Sequence, residues 1–416
     1  MRLLCSSRFA LNQPVCGIIC NLSMDRIVYL DNNATTRVAP EVRDAMQPFF
    51  CDLYGNPSSM HAFGGEVAKY LDGAREEVAR FINADPDEIV FTSCATESDN
   101  TAIRAAAESA GSGKVRVVTT AVEHPAVLNP CRRLKAMGHE VVELPVDGSG
   151  MLDLDRLRAE ATPGSLVSVM WANNETGVVF PMDDIAAICR ERGAMLHTDA
   201  VQVAGKIPVD VKKTPVDTLA MSGHKFHAPK GIGFLYVRRG AKFRPFMLGG
   251  HQERARRAGT ENVPYIVGMA KACELARLGM EREGREVAAL RDRLEAGILA
   301  TCPDVRVNGA GAPRLPNTLN VSFEYIEGEA IAYRLSDLGI CISTGSACAS
   351  GSLDPSHVIR AMGVPFTAVH GSVRFSLSRY NTSEDIDYVL ERLPGVIGAL
   401  RELSPFGPGK NVSTFN

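Results

Sequence analysis

The 416-residue chain lacks any apolar run of the roughly 18 residues that a membrane-spanning helix requires, so no membrane partner is expected. It also lacks an excess of positive charge: a formal net charge of −3 speaks against a nucleic-acid or anionic-lipid surface as partner. There is no Cys-x-x-Cys pair and no His-Glu-x-x-His, which excludes the familiar dedicated zinc sites. The 11 cysteines are odd in number and scattered without paired spacing, a usage that suits a reducing cytoplasm better than a disulfide framework. No internal repeat or low-complexity tract occurs.

What is present is ordinary for a globular protein, with 45% hydrophobic and 22% charged residues. The length exceeds what one core supports, so two domains are expected. Short β-rich runs at 88–92, 115–120, 140–144, 165–170 and 194–197 alternate with helical stretches such as 101–109 and 183–192. This alternation predicts an α/β fold with a mostly parallel sheet covered on both faces. After about residue 280 the texture changes to a charged helix over 281–300, strands at 317–323 and 372–378, and a helix over 327–338. A closing helix over 382–403 opens on a Thr382-x-x-Asp385 capping pattern. The expected division is a large domain over 39–280 and a smaller α+β domain built from 24–38 and 281–403. Residues 1–23 carry two arginines and no acidic residue; they are expected to be an extension read from an early start, in preference to a targeting peptide. Residues 404–416 should form a loose tail.

Ligands of such sheets collect beyond the carboxyl ends of the strands, and polar residues cluster at those ends. In Phe91-Thr-Ser-Cys-Ala-Thr-Glu-Ser98 the chain turns from strand to helix through small residues, so that backbone N–H groups near Ala95 and Thr96 suit a phosphate. Glu123-His124, Asn173-Asn174, Asp199 with Gln202, and Ser222-Gly-His224-Lys225 follow other strands. A lysine just past an apolar strand belongs where a Schiff-base lysine would sit, because burial favours the neutral, nucleophilic amine. Asp199 could then keep the pyridine nitrogen of pyridoxal phosphate (PLP) protonated, which is what makes that ring an electron sink. His124 could stack on the ring and carry a proton. Cys348, in Ser343-Thr-Gly-Ser-Ala-Cys-Ala-Ser-Gly-Ser352, cannot be anchored by packing and is expected on a mobile loop. Cys94 and Cys341 are further thiols near these positions, Cys94 more plausibly a packing residue.

The combination resembles the cysteine desulfurases of the NifS/IscS group, class V enzymes of the fold type I PLP superfamily. The resemblance rests on Tyr29-Leu-Asp-Asn-Asn-Ala-Thr-Thr36, Gly55-Asn-Pro-Ser-Ser-Met-His61, Phe91 to Asp99, Asn173-Asn-Glu-Thr-Gly177 and His197-Thr-Asp-Ala-Val-Gln202. Ser222-Gly-His-Lys225, Gly249-Gly-His-Gln-Glu253 with Arg257-Ala-Gly-Thr-Glu-Asn262, and Ser346-Ala-Cys348 complete it. Stretches such as Phe226-His-Ala-Pro-Lys-Gly231 and Gly351-Ser-Leu-Asp-Pro-Ser-His357 are closer to the nitrogen-fixation branch than to the housekeeping one.

The resemblance implies a seven-stranded, mostly parallel sheet and PLP held on Lys225. Asp199 would face the pyridine nitrogen, Gln202 the ring hydroxyl, and Ala95, Thr96, Ser222 and His224 the phosphate, with Thr260 reaching across from the second subunit of a homodimer. Asn174 and Arg374 would hold the carboxylate of L-cysteine, a planar guanidinium being suited to such a clamp; Arg379, or a purely structural ion pair at Arg374, is the competing reading. Cys348 would take the sulfur as a persulfide and pass it to an iron–sulfur scaffold protein, where it could bridge a cluster transiently. His124 is the candidate proton donor. The competing functions are a housekeeping desulfurase, an aminotransferase of the same fold, a selenocysteine lyase, and a sulfur-relay protein without enzymatic activity.

Overall fold

The computed structural model describes residues 26–109, 113–344 and 354–407. Its larger sheet has seven strands in the order Ile89–Thr92, Gly233–Val237, Thr218–Ser222, Met195–Asp199, Leu166–Ser168, Arg116–Thr120 and Glu140–Leu144. The five from Thr218–Ser222 to Glu140–Leu144 are parallel. Gly233–Val237 runs antiparallel to both its neighbours. Four of the strands, Ile89–Thr92, Gly233–Val237, Thr218–Ser222 and Leu166–Ser168, are buried at every residue, as expected where helices cover both faces.

Local chemistry explains where the elements begin. The strand expected from residue 88 starts at Ile89, because Asp85 and Glu88 form a capping box around the 3-10 turn Pro86–Glu88. His124 caps the helix Pro125–Ala136, whose first residue is a proline with no N–H to satisfy. Thr382 and Asp385 close the expected capping box on Ser383–Leu403.

A second sheet is antiparallel, in the order Ser343–Thr344, Ser372–Ser376, Thr318–Phe323 and Val305–Val307. Val28–Tyr29 pairs in parallel with Ile340–Cys341, and Asp31 bridges to Ser376. Two separate large cores result, one around the seven-stranded sheet and one around the smaller sheet.

Two features depart from the expected division. The charged helix does not begin at 281; it is the second half of a 39-residue helix, Val263–Thr301, about 58 Å long at 1.5 Å per residue. Its first half buries Ile266, Met269, Cys273 and Ala276 in the larger core, and its second half buries Val287, Leu294 and Ile298 in the smaller one. One continuous rod therefore joins the two cores. In addition, Val358, Ile359, Met362 and Val369, assigned with the smaller domain from sequence order, pack into the larger core. No helix among the described residues is long and apolar enough to cross a membrane, and among them no three His, Cys, Asp or Glu side chains group as metal ligands.

Candidate active site

A cavity of about 1000 Å³, part of it open to solvent, lies at the carboxyl ends of the parallel strands. Ala95, Thr96, His124, Asn174, Asp199, Gln202, Ser222, His224, Lys225 and Arg374 all line it. Thr260 is exposed and does not line the cavity of its own chain. Cys348 lies outside the described residues, but Thr344, four positions before it, is part of the cavity wall.

The wall begins with the helix Ala95–Ser109, whose first-turn N–H groups have no carbonyl partners within the helix. Gly233 lets the neighbouring strand pass close beneath this turn, since a Cβ there would stand 2.9 Å from the carbonyl carbon of Cys94. Opposite, the Ser222 hydroxyl is buried without a hydrogen-bond partner. His224 contacts Thr35 Oγ1 through Nδ1 at 3.1 Å. Burial and the charges of Lys225, Lys230 and Lys206 push its pKa down to about 4, so the ring is neutral at pH 7. Unanswered N–H groups and an orphan hydroxyl suit an anion such as a phosphate.

Asp199 ends its strand in a buried position, and its Oδ1 accepts the Val201 N–H at 3.0 Å. Burial raises its pKa; His124, the Val201 N–H and Lys225 act in the opposite direction. A buried carboxylate with only partial compensation calls for a cation, and a protonated pyridine nitrogen is one. Lys225 follows its strand by a 3-10 turn, Gly223–Lys225, and its Nζ donates to the carbonyls of Asn33 and Ala34 at 2.6 and 2.8 Å. His124 accepts the Ala126 N–H at Nδ1, 3.1 Å away, so the neutral ring carries its proton on Nε2. Burial lowers its pKa, Asp199 opposes the shift, and Lys225 and His357 add to it. This donor set fits PLP: an anion cradle at one end, a carboxylate at another and a lysine between.

Arg374 is buried, donating to Asp31 Oδ1 at 2.7 Å and to the Asn174 carbonyl at 3.0 Å, while its Nε has no partner. It is thus ion-paired and also exposed to the cavity. Arg379 is elsewhere: it pairs with Glu283 at 3.3 Å and lines a neighbouring cavity. Cys94 lines the site, whereas Cys341 does not.

Several participants escaped sequence reasoning. Asn33 supplies a carbonyl to both Lys225 and Gln202, a role its side chain does not advertise. Asp99, four residues after Ala95 on the same helix, lines the cavity and contacts His197 Nε2 at 3.2 Å. Lys206 donates to Gln202; its spacing of four residues from Gln202 was the available signal.

The Aminotransferase class-V family model matches residues 28–389. The chain is 58% identical over 381 residues to a "Cysteine desulfurase" of Trichormus azollae, covering 91% of this chain and 95% of that protein. It is 55% identical over 384 residues to "Cysteine desulfurase NifS" of Azotobacter vinelandii, covering 92% and 95%. Among solved structures it is similar to a "NIFS-LIKE PROTEIN" with a TM-score of 0.84 and 40% identity, over 90% of this chain and all of that one. A structure described as "SspA in complex with cysteine" matches with a TM-score of 0.76 and 34% identity, over 85% and 99%.

Proposed function

Because the chain belongs to the aminotransferase class V family, among its cysteine desulfurases, we propose that it removes sulfur from L-cysteine with the help of PLP. The products are L-alanine and a persulfide on Cys348. The thiol of Cys348 takes the substrate sulfur, the Cβ–S bond breaks, and a proton replaces sulfur at Cβ, so that cysteine plus thiol become alanine plus persulfide with atoms balanced.

One observation carries this reading: Lys225, Asp199 and Arg374 open into a single cavity. Bound there, PLP would supply an electron sink for the pair released at Cα. Lys225 would hold it through Nζ and, once released, take the Cα proton. Asp199 would fix the ring by its pyridine nitrogen, and Gln202 would donate to the ring hydroxyl. Ala95, Thr96, Ser222 and His224 would bind the phosphate. Arg374, already polarised by Asp31, would grip the substrate carboxylate beside Asn174. His124 is our candidate for protonating Cβ. Thr344 in the wall supports delivery of Cys348, since four residues of extended chain reach about 14 Å.

We assign Thr260 to the phosphate site of a partner subunit in a homodimer. The similarity to a NifS supports a scaffold protein as acceptor of the sulfur and nitrogenase metalloclusters as its destination. The test is anaerobic turnover of L-cysteine with a thiol reductant, following alanine and sulfide together. Equal yields, lost in both Lys225→Ala and Cys348→Ala, are expected; alanine formation that survives without Cys348 removes the persulfide from the reading.

A further inference from the structure

Gln202 offers an amide to the cavity, and an amide can face either way: its oxygen accepts and its nitrogen donates. Two contacts choose the orientation. Lys206 Nζ lies 2.9 Å from the Gln202 carbonyl and 3.3 Å from Gln202 Oε1. Gln202 Nε2 donates to the Asn33 carbonyl at 3.2 Å, the same oxygen that accepts Lys225 Nζ at 2.6 Å. Turned over, the amide would set its oxygen against the Asn33 carbonyl and its NH₂ against the amine of Lys206. Both contacts reject that arrangement, so the remaining Nε2 hydrogen is what Gln202 can present to a ligand.

Resting on the cofactor reading above, we propose that Lys206 is a positioning residue that locks Gln202 as a hydrogen-bond donor to the ring hydroxyl oxygen of PLP. Lys206 does not line the cofactor cavity. It lines the adjoining one, between the two cores, with Glu283 and Arg379, and it acts through Gln202. Burial, with Lys225 and Arg374 nearby, brings its pKa down to about 7; as an ammonium it can only donate, and the Asn33 carbonyl rejects the turned amide whichever state the amine is in.

Trp171 is the only tryptophan of the chain and lies between Met170 and Ala172, both in the cavity wall, so quenching of its fluorescence reports PLP binding. Lys206→Met should raise the apparent Kd for PLP about three- to tenfold, the worth of one ordinary hydrogen bond, and shift the absorbance band of the holoprotein. Lys206→Arg should restore both. In a Gln202→Ala background, Lys206→Met should change neither, because the interaction it serves is already gone. An equal rise in Kd with and without Gln202 overturns the inference, as does an unchanged Kd and band in the single variant. Should Lys206→Met fail to fold, Lys206→Ala carries the same comparison. Absence of quenching by PLP in the wild type instead overturns the cofactor reading itself.

Discussion

Three carboxylic acids, Asp99, Glu123 and Asp199, are buried in and behind the cavity wall. Burial is the largest cause raising each of them, and the charge of Asp199 raises both of the others. The site therefore favours one ionised acid, and Asp199, which alone of the three is relieved by His124 and Lys225, is best placed to be that one. Glu123 accepts from Thr120 Oγ1 and the Met170 N–H through Oε1, while Oε2 has no partner. Its pKa rises to about 8, against roughly 4.3 in an unfolded chain. Between those values the folded state holds the extra proton, so this contribution to stability is complete at low pH and is lost as pH climbs through about 8. His197, held down to about 4 by burial, acts in the opposite sense only below roughly pH 6.5. From pH 6.5 to 8.5 the urea midpoint should consequently fall less steeply in Glu123→Gln than in the wild type. Parallel slopes would show that Glu123 ionises without cost.

At the level of elements, backbone approach sets the tolerances. Gly371 lies where the chain enters the strand Ser372–Ser376, and a Cβ there would stand 1.9 Å from the Phe323 carbonyl oxygen and 2.7 Å from that of Ile326. Both obstacles are backbone and cannot rotate away. Gly371→Ala should cost about 3 kcal/mol, at the upper end of overpacking penalties. Gly398 is exposed on the helix Ser383–Leu403 with nothing within 4 Å of an added Cβ, so Gly398→Ala should gain roughly 0.5–1 kcal/mol. Urea titrations of the two variants give the comparison, and equal costs would contradict the packing. The same elements show what sequence could reveal. Short β-rich runs such as 140–144 and capped starts such as Thr382 were legible to within a residue or two. Gly233–Val237 was not, because Gly231-Ile-Gly233 leads into it with no polar or capping residue to mark where the lysine turn ends and the strand begins. The first half of Val263–Thr301 was missed for a related reason: it is buried against the larger core and lacks the charged face that marks its second half. Nine of the side chains picked out at strand ends meet in one cavity, joined there by Arg374, which lies within the strand Ser372–Ser376 and was indicated by the resemblance alone. Asn33 could not be picked out, since it contributes a carbonyl, nor Lys206, which acts on another side chain.

Over the whole molecule, the placement of Thr260 decides whether one chain is sufficient. The segment that carries it is firmly held. Arg75 and Glu253 form a buried two-point ion pair at 2.6 and 2.7 Å, and Glu253 also accepts the Phe91 N–H. Arg257 pairs with Glu97, in the first turn of the helix Ala95–Ser109, at 2.9 Å. Glu253, Arg254 and Ala255 take left-handed backbone angles in succession, a strain that such anchoring can sustain. Thr260 is thereby fixed outside its own cavity, while Tyr54, Met60 and Leu248 present large apolar side chains to solvent, at 72%, 105% and 84% exposure. An association that covered such surface and brought Thr260 to a neighbour's phosphate would explain both. Mixing subunits tests it. Lys225→Ala and Thr260→Ala should each be defective on its own, the second by weaker PLP binding of roughly ten- to a hundredfold for a lost bond to a charged phosphate. If the threonine acts across the interface, the mixed dimer contains one site with Lys225 and Thr260 both intact, and PLP affinity and cysteine turnover return to about half of the sites. If it acts within its own chain, both sites of the mixed dimer stay defective and nothing returns.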